Sequence, residues 1–86
     1  MALLNVVVVA ADREVWSGEA QRVVAKTWEG DIGILAGHEP VMALVAGGEV
    51  RILTESGETV RAQADGGFLS VENDRVTVVA DQAELV

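Results

Sequence analysis

Cysteine is absent from this sequence of 86 residues, which excludes disulfides, thiolate metal sites and cysteine nucleophiles. Histidine occurs once, at His38, so the several His or Cys ligands of a zinc motif are also missing. The serines Ser17, Ser56 and Ser70 lie in turns or strand-like stretches, and none sits in a nucleophile-elbow motif. We therefore predict no catalytic residue, no cofactor and no metal, and a protein that is not an enzyme.

Positive charge is scarce, with 6 Lys and Arg against 14 Asp and Glu and a formal net charge of -8. Phosphate backbones and anionic lipid surfaces attract clustered Lys and Arg, so we expect no nucleic-acid partner and no direct membrane insertion. The apolar run at residues 3–11 contains one polar residue, Asn5, and is far shorter than the ~20 residues of a membrane span. A protein partner with a basic face fits this charge balance better.

Aromatic residues and proline are also rare: there are two Trp, one Phe and one Pro, yet 50% of the residues are hydrophobic. Most of that apolar material is Val, Ala, Leu and Ile, and β-branched side chains favour strands. A chain of this length indicates one domain, residues 1–86. We expect Trp16 and Phe68 to pack between sheets and Trp28 to have a structural role.

Turn signals recur at short intervals, as in all-β sandwiches and barrels. Strands are predicted at residues 3–11, 20–27, 41–46, 49–54, 59–64, 68–71 and 76–80. Breaks are predicted at residues 17–18 and 65–67, and residues 81–86 are compatible with the start of a helix. This succession of hairpins predicts an all-β fold of two packed antiparallel sheets with no substantial helix.

Residues 28–40 combine glycine, proline and charge, which predicts an irregular loop with short extended pieces. The glycine spacing matches neither the P-loop nor the dinucleotide-binding fingerprint. The loop concentrates the charged residues Glu29, Asp31, His38 and Glu39. A binding loop and a solvated surface loop are equally consistent with this pattern.

Lys26 raises an alternative function, because lipoyl and biotinyl carrier domains are also small acidic β-sandwiches with a modified lysine. In those domains the lysine sits at a hairpin tip between acidic or methionine neighbours. Lys26 lies between Ala25 and Thr27 inside a strand pattern, so the motif for the carrier alternative is weak.

Four segments carry a family resemblance. They are Trp-Ser-Gly at residues 16–18, Gly-Asp-Ile-Gly-Ile-Leu-Ala-Gly-His-Glu-Pro at 30–40, Gly-Gly-Phe-Leu-Ser-Val at 66–71, and Val-Thr-Val-Val-Ala-Asp-Gln-Ala at 76–83. In this order they resemble the epsilon subunit of the rotary F-type ATP synthase, over essentially the whole chain. Ala36 departs from that pattern, because the family usually has proline there.

The resemblance implies a flattened sandwich of about ten short strands that acts as a non-catalytic rotor subunit in the central stalk of a proton-translocating ATP synthase. Its partners would be the gamma subunit and the c-subunit ring, at the cytoplasmic face of the cell membrane, where it would couple proton flow to ATP synthesis. Family members commonly continue into a C-terminal helical hairpin with inhibitory and ATP-binding roles. Because the sequence ends at Val86, we expect those roles to be absent.

The resemblance also assigns residues to roles. The c-ring contacts would be Glu29, Asp31 and His38. The gamma-side contacts would be His38, Met42 and Ala43. The residues that shape the loop would be Gly30, Gly33, Gly37 and Pro40.

Overall fold

The structure, a computed structural model, describes residues 2–86. Its seven strands are β1 (Leu4–Ala10), β2 (Arg13–Thr27), β3 (Gly30–Leu35), β4 (Val41–Leu44), β5 (Gly48–Thr54), β6 (Thr59–Glu72) and β7 (Arg75–Leu85). Residues 2–86 contain no helix, and therefore none that is long and apolar enough to cross a membrane. The predicted all-β class is confirmed.

Five strands form a closed circuit of hydrogen-bonded neighbours. β1 pairs with β7, β7 with β6, β6 with β5, β5 with β2, and β2 again with β1. β3 is added to β2 and β4 to β6, so these two short strands supply the edges. The pairing of β1 with β7 is parallel, which corrects the prediction of purely antiparallel sheets. Strands from opposite ends of a chain need no tight hairpin between them, so parallel pairing is open to them.

The three longest strands each contribute to both layers of the sandwich. In β2, residues 13–20 pair with β1, whereas the residues from 20 to 27 pair with β5 and β3. β6 and β7 change layer together near Gly66, where their ladder skips one pair. The first layer therefore contains β1 and β4 with one half of each long strand, and the second contains β3 and β5 with the other halves.

Seven strands are fewer than the predicted ten or so, because β2, β6 and β7 are each continuous and supply a segment to both layers. The predicted breaks at residues 17–18 and 65–67 are wrong, because β2 and β6 run through both positions. Each long strand bends from one layer to the other without ending. A register shift between Ala20 and Arg22 accompanies the crossing of β2, as bulges commonly do where strands bend.

Two further predictions are corrected. Residues 30–35 form a regular strand that pairs along its whole length with residues 22–27 of β2, so only residues 36–40 of the predicted loop are irregular. Ile34 is buried and Ile32 partly buried against the core, while residues 31, 33 and 35 face solvent, and this period of two sustains a strand despite the glycines. Residues 82–85 continue β7 and pair with residues 62–65, so no helix starts there.

The core lies between the layers and consists of aliphatic side chains. Its largest fully buried members are Leu4, Ile34, Ile52, Leu69, Val8, Val23, Val50, Val71, Val76 and Val78. Trp16 is half-buried and packs against this cluster. Phe68 does not lie between the layers as predicted, because Leu69 and Val71 take the inward positions of β6 and strand alternation turns Phe68 outward. Trp28 was predicted to be structural, yet its side chain is 75% exposed.

Candidate interaction site

The turn between β2 and β3 holds Glu29 at an exposed tip. Thr27, a buried residue, donates its hydroxyl hydrogen to the Gly30 carbonyl oxygen at 2.7 Å and accepts a bond from the Glu29 amide at 3.2 Å. Gly30 has φ of +119°, a conformation that side-chain-bearing residues rarely adopt. The two-residue turn is therefore fixed by Thr27 on one side and by glycine on the other.

Asp31 and Lys26 lie opposite each other on β3 and β2, and both are exposed. The Lys26 side chain lies flat on the sheet: its Cδ would be 3.4 Å from a Cβ added at Gly48. The tip of this hairpin is formed by Trp28 and Glu29, not by Lys26. This arrangement, with a lysine inside a strand, disfavours the carrier-domain alternative.

An acidic end closes one side of the sandwich, where the β1–β2 and β2–β3 turns meet the layer crossings of β6 and β7. We define the acidic end by the exposed carboxylates Asp12, Glu29, Asp31, Asp65 and Asp81. Lys26 and Arg13 are basic residues beside them. Lys26 is the cross-strand partner of Asp31, and the Arg13 guanidinium lies 3.5 Å from the Asp12 carboxylate and donates to the Ala83 carbonyl at 3.0 Å. A surplus of negative charge therefore faces outward here.

His38 lies at the opposite end of the sandwich, in the connection between β3 and β4. Its amide donates to the Leu35 carbonyl at 3.2 Å, and its ring Nδ1 lies 2.7 Å from the Glu39 carbonyl oxygen. Because a carbonyl oxygen only accepts, Nδ1 carries the proton in this contact. Among the hydrogen bonds of residues 2–86, none joins His38 to a serine.

The predicted c-ring residues are not brought into one patch. Glu29 and Asp31 are two residues apart at the acidic end, but β3 separates them from His38, a span of roughly 17–20 Å for six strand residues. Of the predicted loop-shaping residues, Gly30 and Gly37 have positive φ, whereas Gly33 is an ordinary strand residue in open space. Pro40 directly precedes β4, a position that needs no ladder donor.

The outer face of the first layer carries an apolar row that the sequence did not reveal. Leu44, Phe68, Val79 and Val9 are successive register partners across β4, β6, β7 and β1. We call these four residues the apolar row. Met42 points to the same side, two residues before Leu44, and is 70% exposed. Ala43 was predicted as a gamma-side contact together with Met42, but it faces the opposite side of β4. Strand alternation along residues 41–44 could have indicated Leu44 in its place.

Asp74 ties the His38 loop to the β6–β7 turn. Its carboxylate Oδ1 accepts a bond from the Gly37 amide at 2.7 Å, and its backbone adopts φ of +61°. Asp74→Gly keeps that backbone accessible but removes the acceptor, so we expect exchange of the Gly37 amide hydrogen to accelerate about tenfold. Asp74→Asn retains an acceptor and tolerates the conformation, and should change the exchange rate less than about threefold. Equal acceleration in both variants, measured by NMR, would contradict this anchoring role.

Comparison with known proteins decides the family. Residues 3–86 match the family model described as the β-sandwich domain of the ATP synthase delta/epsilon chain. The chain belongs to this delta/epsilon family. An ATP synthase epsilon chain from Micrococcus luteus is 52% identical over 85 residues, which cover 99% of this chain and 93% of the relative. Another, from Streptomyces avermitilis, is 50% identical over 84 residues and is covered to 68%. The resemblance to epsilon subunits is thereby confirmed.

Solved structures support the delta/epsilon fold. A chain of the mitochondrial ATP synthase of Euglena gracilis, in a structure containing OSCP, F1 and the c-ring, superposes with a TM-score of 0.92 at 24% identity. The superposition covers 99% of this chain and about half, 54%, of the Euglena chain. A central-stalk and c-ring structure of the Tetrahymena thermophila enzyme gives a TM-score of 0.74 at 17% identity. At these identities the likeness concerns the fold.

Proposed function

We propose that this protein is the epsilon subunit of a proton-translocating ATP synthase, a non-catalytic part of the central stalk that binds the gamma subunit and the c-subunit ring. In this role it couples proton flow to ATP synthesis from the cytoplasmic face of the cell membrane, where it is held through its partners. Support comes from the names of the curated relatives and from the central-stalk and c-ring assemblies that share its fold.

The observation that carries the proposal is the presence of two unlike surfaces on one closed body. The acidic end offers exposed carboxylates, and the outer face of the first layer offers the apolar row together with Met42. Because five strands form a closed circuit around a buried aliphatic core, the two surfaces keep a fixed relation to each other. A rotor subunit has this requirement, since torque passes between partners through it.

The c ring is the proposed partner of the acidic end, through Glu29 and Asp31. Exposed ion pairs contribute only about 0–1 kcal/mol each, so this contact adds little affinity. Its main effect is to orient the two partners, and that effect weakens as the salt concentration rises. The gamma subunit is the proposed partner of the apolar face, where burial of apolar area dominates affinity. His38 stays a candidate for the gamma side alone, because Glu29 and Asp31 lie at the other end of β3.

The surroundings of the single histidine are the reason for proposing that the protein is not catalytic. Its Nδ1 is occupied by the Glu39 carbonyl, and the hydrogen bonds of residues 2–86 offer it neither a serine nor an orienting carboxylate. A general base needs a nucleophile within hydrogen-bond reach. The sandwich therefore contributes binding surfaces and stiffness, while the chemistry of ATP synthesis belongs to other subunits.

Charge reversal at the acidic end tests the c-ring contact. We expect Glu29→Lys combined with Asp31→Lys to weaken binding to purified c ring about tenfold at low salt, with a smaller effect at high salt, and to leave gamma binding unchanged. Glu55→Lys combined with Glu58→Lys is the matched control, because both glutamates are exposed at the opposite end and the charge change is identical. Equal weakening by the two double variants would show that only net charge matters. Failure of the unaltered protein to retain gamma or c ring in a pull-down would refute the proposed function.

A further inference from the structure

Trp28 is an exposed aromatic residue, and neither core packing nor turn geometry explains a tryptophan at its position. Its side chain is 75% exposed, the highest value among the large hydrophobic residues exposed within residues 2–86. Within this turn only Gly30 has a positive φ, so the backbone at position 28 sets no requirement that tryptophan meets better than a small polar residue would. Exposing a tryptophan also leaves a large apolar area in water.

Backbone hydrogen bonds attach Trp28 to the end of β4. The Trp28 amide donates to the Leu44 carbonyl at 3.2 Å, and the Ala46 amide donates to the Lys26 carbonyl at 3.0 Å. An isolated bridge between Thr27 and Val45 reinforces the attachment. Trp28 is therefore held beside Leu44, the exposed end of the apolar row.

The same turn places Trp28 next to Glu29, with Asp31 two residues further along. Trp28 thus occupies the corner where the apolar row meets the acidic end. Three large exposed apolar side chains gather near this corner, namely Trp28, Leu44 at 64% and Met42 at 70% exposure. Apolar area rimmed by charge is typical of the centre of a protein-binding surface.

We propose that Trp28 is an anchor for the gamma subunit, received by a gamma segment that carries a lysine or arginine beside apolar side chains. The indole packs on the apolar side chains and on the cationic head, while Glu29 and Asp31 remain with the c ring. Continuity with Leu44 favours gamma as the occupant over the c ring, since the apolar row is the surface proposed for gamma. The inference rests on the proposed function and adds a residue and a partner chemistry to it.

Binding measurements on four proteins test the anchor. Trp28→Ala should weaken gamma binding about 10- to 30-fold, as truncation of an interface tryptophan typically does. Trp28→Phe keeps an aromatic ring and should lose only about threefold. Leu35→Ala is the matched control, because Leu35 is 58% exposed on the edge strand β3, and it should bind like the unaltered protein. Thermal melting of each variant shows whether it is folded.

Fluorescence supplies an independent readout, because the chain has only two tryptophans. In a Trp16→Phe background Trp28 is the sole reporter, and its emission should shift to shorter wavelength when gamma is added and stay unchanged with c ring alone. Undiminished gamma binding by Trp28→Ala would overturn the anchor and leave the proposed function standing. Weakened c-ring binding with gamma binding intact would overturn it as well. Loss of the proposed function itself would appear differently, as absence of gamma binding by the unaltered protein.

Discussion

Gly67→Ala is expected to destabilise the fold by about 3–5 kcal/mol, a large share of the stability of a domain of this size. Gly67 has φ of +123°, and a Cβ there would overlap the Val79 carbonyl oxygen and lie 2.7 Å from the Ala80 Cα. Those atoms are backbone of the neighbouring strand, so they cannot rotate away. Urea unfolding followed by circular dichroism measures the loss.

Two other glycines separate the causes of that loss. Gly57 has φ of +94° but no atom within 4 Å of an added Cβ, so Gly57→Ala should cost only the backbone strain, about 1–2 kcal/mol. Gly33 has neither a positive φ nor a close neighbour, and Gly33→Ala should change stability by less than about 0.5 kcal/mol. If Gly67→Ala were no worse than Gly57→Ala, the close approach of β6 to β7 would not be the constraint inferred from the geometry.

Leu44→Asp is expected to weaken gamma binding by at least about 30-fold, because it places an unpaired carboxylate within the apolar row. The side chain is 64% exposed, so the free domain should lose little stability. Isothermal titration calorimetry or surface plasmon resonance with purified gamma measures the effect.

Leu35→Asp is the matched control for this variant, because the substitution is the same. Leu35 is 58% exposed and lies on the second layer, away from the apolar row. It should bind gamma within about twofold of the unaltered protein if the surface is specific. Comparable losses from both variants would argue that added negative charge, and not the apolar row, governs the association. Loss of folding by Leu44→Asp would contradict its exposed position.

Strand alternation made much of this fold predictable. The run from Thr59 to Ala64 alternates polar and apolar residues, and the structure turns Ala62 and Ala64 into the core as expected. The length of the strands was not predictable in the same way. Gly66 and Gly67 look like a break, yet they let β6 change layer because β7 bends beside it, and that neighbour lies far away in the sequence.

The candidate surfaces were also predictable only in part. Charge and motif selected Glu29, Asp31 and Met42, all of which are exposed. The outward orientation of Phe68 depends on the register of three strands, so an aromatic residue inside an apolar stretch was wrongly predicted to be core. His38 and Asp31 are near in sequence and were grouped as one contact because residues 28–40 were predicted to be a loop. Residues 30–35 form a strand instead, which places the two side chains at opposite ends of the sandwich.

The parallel pairing of β1 with β7 also has a consequence for biosynthesis. Residues 5–9 find their partners in residues 75–79, which are synthesised 70 residues later. Until residues 75–79 have left the ribosome, β1 can pair only with β2 and one flank of the nascent domain stays open. Contacts of such large sequence separation also slow the final search, because closing a long loop costs entropy before any pair forms. Truncation before residue 75 would therefore leave an unpaired, valine-rich edge that invites aggregation in the cell.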